Sequence, residues 1–383
     1  MQAASPNKAL ALPREDRSEA VSVGFSILGV GIRLEGNPGA DIYPAARLYA
    51  DFLNDKTAAS WTIVWNGRAS PTRLTVNGKV HPALSRKWIS ALISMKIMDC
   101  LYRSAEDFYL FHGAAAARRG VLLVFPGQSG TGKSLLAIVL ARSGWTLFSD
   151  EIIAISKTSL RVFPFGRAIM VRKSEPLIGD LLLGAEDKSE TMPLVGGGAK
   201  TMIPFSFFNE PPTPLPFKAI VCLRGGRREV SRGGRQVVVT HWDEKMEKLA
   251  KQRGLYGSLR VSRVGEFWCI TGDRTAAAED ICTSLGGIVI ERDLIEEDCP
   301  LFARRPLLKT ISPSECLNAL WSVFQNGRAH REREGGTVGL YMHLARLVKA
   351  IPSFWLRPGA LSPTCELLQN LADRLTNNDA SRE

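Results

Sequence analysis

One stretch constrains this chain more than any other: Gly127-Gln128-Ser129-Gly130-Thr131-Gly132-Lys133-Ser134, a complete G-x-x-x-x-G-K-[ST] loop. With glycine near ~7% of residues, about 0.01 accidental matches are expected in a chain of this length, so chance is a poor explanation. The flanks fit as well. Before the loop, Val121-Leu122-Leu123-Val124-Phe125 is a continuous apolar run, as a strand buried on both faces requires. After it, Leu135-Leu136-Ala137-Ile138-Val139-Leu140-Ala141-Arg142 reads as a helix ended by Gly144 at a C′-type position. Strand, glycine loop, helix is the arrangement the motif needs. The stretch predicts binding of a nucleotide or another phosphate compound.

The 383 residues allow one large core or two smaller ones. No apolar run is long enough to span a bilayer, and Met1-Gln2-Ala3-Ala4-Ser5-Pro6-Asn7-Lys8 lacks the basic-then-apolar order of a signal peptide. Seven scattered cysteines, with no C-x-x-C pair, argue against a disulfide framework and a zinc site. The expectation is a reduced, cytoplasmic setting with no membrane partner. A net charge of +11 raises nucleic acid as a partner. The basic residues are spread, however: Arg227-Arg228, Arg232, Arg235, Arg304-Arg305, Arg328, Arg331 and Arg333, without interleaved aromatics on which bases would stack. They read mostly as solvated surface, partly as attraction for an anionic nucleotide or acidic substrate. Nucleic acid is not the expected partner.

Residues 1–19 read as a polar, disordered tail. Residues 20–107 read as a small β-rich N-terminal part plus a helix. Val21-Ser22-Val23-Gly24-Phe25-Ser26-Ile27, Trp61-Thr62-Ile63-Val64-Trp65 and Arg73-Leu74-Thr75-Val76 are strand-like, and Asn77-Gly78 signals a hairpin turn. From Pro82 to Ser104, Trp88, Leu92, Ile93, Met95, Ile97, Met98 and Leu101 follow helical spacing. A turn at Arg118-Arg119-Gly120 then returns the chain into the loop strand.

Chain geometry places a second group of residues. The helix from Ser134 runs roughly 15 Å away from the phosphates at 1.5 Å per residue. Gly144 turns the chain, and Trp145-Thr146-Leu147-Phe148-Ser149 returns as a strand at roughly 3.3 Å per residue. Asp150 and Glu151 therefore arrive back beside the loop, where a parallel sheet binds its ligand at the carboxyl ends of its strands. An acidic pair there can hold Mg²⁺ and take a proton from an attacking hydroxyl. The plainer alternative is two helix-capping acids on a strand-to-helix turn. Arg167, Lys173 and Lys200 follow, either as surface cations or as groups that neutralise charge on a transferring phosphoryl group.

Pro211-Pro212-Thr213-Pro214-Leu215-Pro216 is a stiff connector to an apolar strand over residues 217–223. Residues 225–308 change texture and read as an inserted α/β subdomain. It contains a strand at 236–240, a charged helix at 243–253, and strand, helix, strand over 267–290. Residues 309–383 return with helices from Pro313 to Gln325 and from Val338 to Ile351, separated by a charged loop from Asn326 to Gly336. A strand at Ser353-Phe354-Trp355-Leu356 and an amphipathic helix from Pro363 to Leu375 close the chain.

Together, His112-Gly113, the loop, and Gly144-Trp145-Thr146-Leu147-Phe148-Ser149-Asp150-Glu151 resemble the catalytic domain of HPr serine kinase/phosphorylase. They resemble the bacterial HPr kinase-related proteins more closely still. That family shares its nucleotide-binding core with phosphoenolpyruvate carboxykinase, and the short step from loop to acidic pair sets it apart from most P-loop NTPases. The resemblance is strong over about 108–156, weaker over 157–223 and 311–376, and absent over 225–308. It implies an α/β fold: a P-loop kinase core of the HPr kinase/phosphoenolpyruvate carboxykinase type over 108–224, completed by 309–383. The β-rich N-terminal part and the inserted α/β segment are added to that core.

The resemblance further implies ATP and Mg²⁺ as cofactors. Gly127, Gln128, Ser129, Gly130, Thr131, Gly132 and Lys133 would hold phosphates, and Ser134, Glu151 and Asp150 the metal. Asp150 would act as base, His112 would orient substrate or base, and Arg167 and Lys173 would lie near the phosphoryl group. The implied partner is a protein or peptide bearing a serine hydroxyl, ribosomally made precursor peptides included. Two other readings stay open: phosphoryl transfer to a small molecule, as in the carboxykinase, and a non-catalytic ATP-binding regulatory protein. The oligomeric state stays open too.

Overall fold

The computed structural model describes residues 19–69, 72–81, 86–128, 131–172, 190–193, 199–223, 235–239, 242–255, 257–264, 267–272, 274–285, 289–294, 305–331 and 334–380. The expected tail falls almost wholly outside them, as do Ser129, Gly130 and Lys173.

Tight turns organise the N-terminal part. Strands β1 (Val21–Ile27) and β2 (Val30–Asn37) meet at Leu28-Gly29, with φ of 50° and 82°, the left-handed pair that matches strand twist in a two-residue hairpin. Helix α1 (Tyr43–Leu48) follows, and β3 (Trp61–Asn66) adds parallel to β2. The expected hairpin at Asn77-Gly78 joins β4 (Arg73–Val76) to β5 (Lys79–His81) and completes a five-stranded sheet. Helix α2 (Ile89–Ser104) covers it, burying Leu92, Ile93, Ile97 and Leu101. It follows a 3-10 turn at Arg86–Trp88; the expected start at Pro82 lies outside the described residues.

Strands β6 (Phe108–Arg118) and β7 (Val121–Pro126) form a hairpin through Arg119-Gly120, and every residue of β7 is buried. Helix α3 (Lys133–Arg142) leaves the glycine loop, Gly144 turns the chain at φ 82°, and β8 (Thr146–Ser149) comes back beside β6. β9 (Ile152–Ser156) pairs with the first half of β6, and β10 (Arg161–Phe163) with β9. β11 (Ile169–Arg172), β12 (Glu190–Pro193) and β13 (Ala199–Ile203) make a three-stranded sheet of their own. β14 (Leu215–Leu223) rejoins the main sheet parallel to β7. That sheet is mixed, not wholly parallel: the Arg119-Gly120 hairpin reverses the chain, so β6 opposes both β7 and β8.

The inserted segment runs β15 (Arg235–Val239), α4 (Glu244–Gln252), β16 (Leu259–Val264), β17 (Phe267–Gly272), α5 (Thr275–Ser284) and β18 (Val289–Leu294). The sheet order β16-β17-β15-β18, antiparallel throughout, is a split β-α-β pair. Val237, Val239, Trp242, Met246, Ile270 and Ile281 give it a separate core.

The chain then supplies β19 (Leu307–Thr310), α6 (Pro313–Ser322), α7 (Gly327–Arg331), α8 (Gly336–Lys349), β20 (Ser353–Arg357) and α9 (Leu361–Ala380). β20 lies between β14, parallel, and β19, antiparallel. α6 starts at a capping box, Ser312 with Glu315. The expected loop from Asn326 to Gly336 instead contains α7. Tertiary contacts hold this short helix: Asn326 and His330 are buried against the β6 backbone. α3 and α9 cover one face of the main sheet, α6 and α8 the other. The N-terminal part is not separately packed, since Phe25, Tyr49 and Ile93 share one cluster with Leu110, Ile152 and Phe165. The architecture is mixed α/β. No helix among the described residues is long and apolar enough to cross a membrane.

Candidate functional site

The site begins where β7 ends. A Cβ on Gly127 would come 2.9 Å from Thr131 Oγ1 and 3.2 Å from Leu223 Cβ, so any side chain there would push its neighbours aside. Gly132, at φ 81°, opens α3 in a conformation that glycine adopts without strain. Inside the loop, the Thr131 hydroxyl donates to Gln128 O at 2.8 Å, and Lys133 Nζ donates to the same carbonyl. Lys133 is only 5% exposed. Burial pulls its pKa down to about 8, against the opposing pull of Glu151 and Asp150.

β6 lies between β7 and β8 and brings the remaining groups to that edge. Gly127 N donates to His112 O at 3.2 Å, and Gly113 N donates to Glu151 O at 3.0 Å. Gly113 has no room for a side chain: a Cβ would fall 2.4 Å from Ile153 Cδ1 and 2.8 Å from Phe125 O. The Ser149 hydroxyl accepts from Glu151 N at 3.2 Å and Ile152 N at 2.9 Å, which bends the chain between β8 and β9 and presents the acidic pair. A strand, β9, follows directly, so Asp150 and Glu151 cap no helix.

The two carboxyls are set apart. Asp150 is 6% exposed; burial, then neighbouring Glu151, raises its pKa to about 6, against a hydrogen bond from Ser134 and the charges of Lys133 and Arg167. Its Oδ1 has no partner. For Glu151, burial also pushes upward, but Arg167, His112, Lys133 and Lys200 outweigh it and hold the carboxyl below its ordinary range. Arg167 Nη1 lies 3.0 Å from Glu151 Oε2, and His112 Nδ1 lies 3.7 Å from Oε1. Neighbouring acids with separated proton affinities are what acid–base chemistry needs.

The structure thus brings together Gly127, Gln128, Thr131, Gly132, Lys133, Ser134, Asp150, Glu151, His112 and Arg167. Two residues that sequence reasoning missed complete the wall: Ser94 accepts from Arg167 Nη2 at 3.3 Å, and the Tyr49 ring centroid lies 5.7 Å from the guanidinium carbon. Neither carries a motif or a distinctive spacing. A small apolar hollow lies against Thr131 and Gly132, lined also by Leu136, Pro358, Gly359, Leu361 and Thr364.

Among the described residues no cluster of three or more His, Cys, Asp or Glu forms a ready-made metal cage. Ser134, Asp150 and Glu151 instead offer a few oxygens, as suits a hard cation completed by water and phosphate. The buried, unpartnered Asp150 Oδ1, with the Ser134 hydroxyl on the same carboxyl, fits such an ion. No family model matches the chain, and no curated protein matches its sequence.

Proposed function

We propose that this protein is an ATP-dependent phosphotransferase, a kinase that passes phosphate to a serine hydroxyl of a protein or peptide on a P-loop kinase core of the HPr kinase type. One observation carries the reading: a buried carboxyl, Asp150, with a raised proton affinity and an unpartnered oxygen, lies within electrostatic reach of the buried cation Lys133 at the end of the glycine loop. A protein that only binds nucleotide has no need of two carboxylates there.

The loop amides and Lys133 hold the β- and γ-phosphates. Ser134, Asp150 and Glu151 are the residues that would hold Mg²⁺, which supplies neutralisation of phosphate charge when bound. Asp150, with a pKa of about 6, accepts the hydroxyl proton near neutral pH. Glu151 stays anionic and keeps Arg167 and His112 in place. Arg167 and Lys200 add positive charge beside the transferring group. The hollow by Leu136 and Leu361 receives the nucleoside.

The test is transfer of labelled γ-phosphate, with Mg²⁺, to a panel of serine-bearing peptides, proteins and metabolites. Label on serine supports the proposal. Label only on a metabolite makes the enzyme a small-molecule kinase, and tight ATP binding with neither transfer nor hydrolysis makes it a regulatory binder.

A further inference from the structure

Arg167 is held from the N-terminal part of the chain, and we infer that Tyr49 and Ser94 are positioning residues for the acidic pair, acting through this guanidinium. The inference rests on the reading of Asp150 and Glu151 as site acids. The segment carrying Arg167 is docked on residues 48–52 by backbone and side chain alike. Ala168 N donates to Leu48 O at 2.9 Å. Phe165, fully buried, packs on Phe52 with ring centroids 5.3 Å apart. Gly166 lies so near Asp51 that a Cβ would sit 3.2 Å from the carboxylate Oδ2.

The side chain is fixed in turn. Ser94 Oγ takes one arm of the fork at 3.3 Å, and the Tyr49 ring lies beside the guanidinium. The Tyr49 hydroxyl is 3.2 Å from both Ser94 O and Ser94 Oγ, so the two residues lock each other. The other arm reaches Glu151 Oε2 at 3.0 Å. Neutralising Glu151 needs only a nearby positive charge; holding one carboxylate oxygen in one direction needs a planar fork in a rigid cradle. Tyr49 and Ser94 supply that direction, leaving Oε1 turned toward His112. Helix α2 and the turn after α1 are therefore components of the site.

The test uses the full chain carrying Ser94→Ala, Tyr49→Phe, Ser94→Thr or Arg167→Lys. Pyrophosphate binding is read by calorimetry, and Mn²⁺ binding with ADP by electron paramagnetic resonance. Ser94→Ala and Tyr49→Phe should bind pyrophosphate as the wild type does, yet bind Mn²⁺ with ADP about ten-fold more weakly and with an altered spectrum. Ser94→Thr, which keeps the hydroxyl, should restore both, and Arg167→Lys, which keeps the charge without the fork, should not. Wild-type Mn²⁺ affinity and spectrum in Ser94→Ala, Tyr49→Phe and Arg167→Lys, whatever their melting temperatures, would overturn the inference. If the wild type binds neither pyrophosphate nor Mn²⁺ with ADP, the phosphotransferase reading falls and the inference with it.

Discussion

Strand β6 carries one buried cluster of charge at its start and another at its middle, and the two are built differently. At the Phe108 end, Glu334, its side chain 5% exposed, is met by Lys157, by the Tyr109 hydroxyl at 3.1 Å and by His343 at 2.6 Å. Buried His330 lies 2.9 Å from Phe108 O and 3.0 Å from Asn326 Nδ2. No buried polar atom of that cluster lacks a partner. Around Gly113, Asp150 Oδ1 and Arg167 Nε have none, while burial raises Asp150 and lowers Lys133. A satisfied network rigidifies the fold. An unsatisfied one is retained where a ligand completes it. The first cluster also serves the second, because it seats residues 323–326 along β6, where Val323 O accepts from the His112 amide.

The contrast can be broken by substitution. The largest effect is expected at Lys133. Lys133→Ala should cost about 2–5 kcal/mol of pyrophosphate affinity, as loss of a buried charge partner does, without lowering the melting temperature. Titration calorimetry with a thermal melt reads both, and a collapse in stability would place Lys133 with the structural cluster instead. Glu334→Gln should do the reverse, lowering unfolding free energy by about 3 kcal/mol while pyrophosphate binding stays unchanged. For Glu334 burial pushes upward, but Lys157, His343 and Tyr109 outweigh it, so its pKa lies below the ordinary 4.5. Its contribution is therefore complete above that pH and lost as pH falls through the lowered value, and urea midpoints of variant and wild type should converge in acid.

Asp150→Asn should raise stability at pH 7 by up to about 3 kcal/mol in the absence of nucleotide and metal. The folded pKa of about 6 lies above the ordinary 3.8, so the ionised carboxyl costs stability. That cost is absent below pH 3.8, grows toward pH 6 and is full above it, and the variant's advantage should follow the same course. A variant less stable than the wild type at pH 7 would show that the protein itself satisfies Asp150. The smallest effect concerns the hollow. Leu361→Ala should weaken ADP by about 1 kcal/mol of lost apolar contact and leave pyrophosphate unchanged; equal losses for both ligands would place the nucleoside elsewhere.

Much of the loop side was legible because its causes are local. A glycine loop, a helix of known rise, Gly144 and a short strand bring Asp150 and Glu151 back by arithmetic, and β8 does return beside β6. His112-Gly113 stood next to the loop strand for the same reason, through one tight turn. The Arg167 side was not legible. Proximity in sequence suggested a cation near the acids, but its cradle comes from Tyr49 and Ser94, which only tertiary folding brings near. Glu334 and His330 lie in what reads as a charged loop, because their burial is decided by the underside of β6 and not by any period of their own. Strands β16 and β19 escaped notice at sheet edges, where Leu259-Arg260-Val261-Ser262-Arg263 and Leu307-Leu308-Lys309-Thr310 mix basic and apolar residues over too short a run.

On the proposed reading, the unsatisfied cluster performs phosphoryl transfer with Asp150 as proton acceptor. ATP binding and ATP turnover measured on the same samples of wild type and Asp150→Asn test it most directly. Binding of metal-free ATP no weaker than the wild type's, with Mg²⁺-dependent hydrolysis and transfer lowered about 10²–10⁴-fold in the variant, is the predicted result. Equal turnover in both proteins, or none in either while both bind ATP, would contradict it.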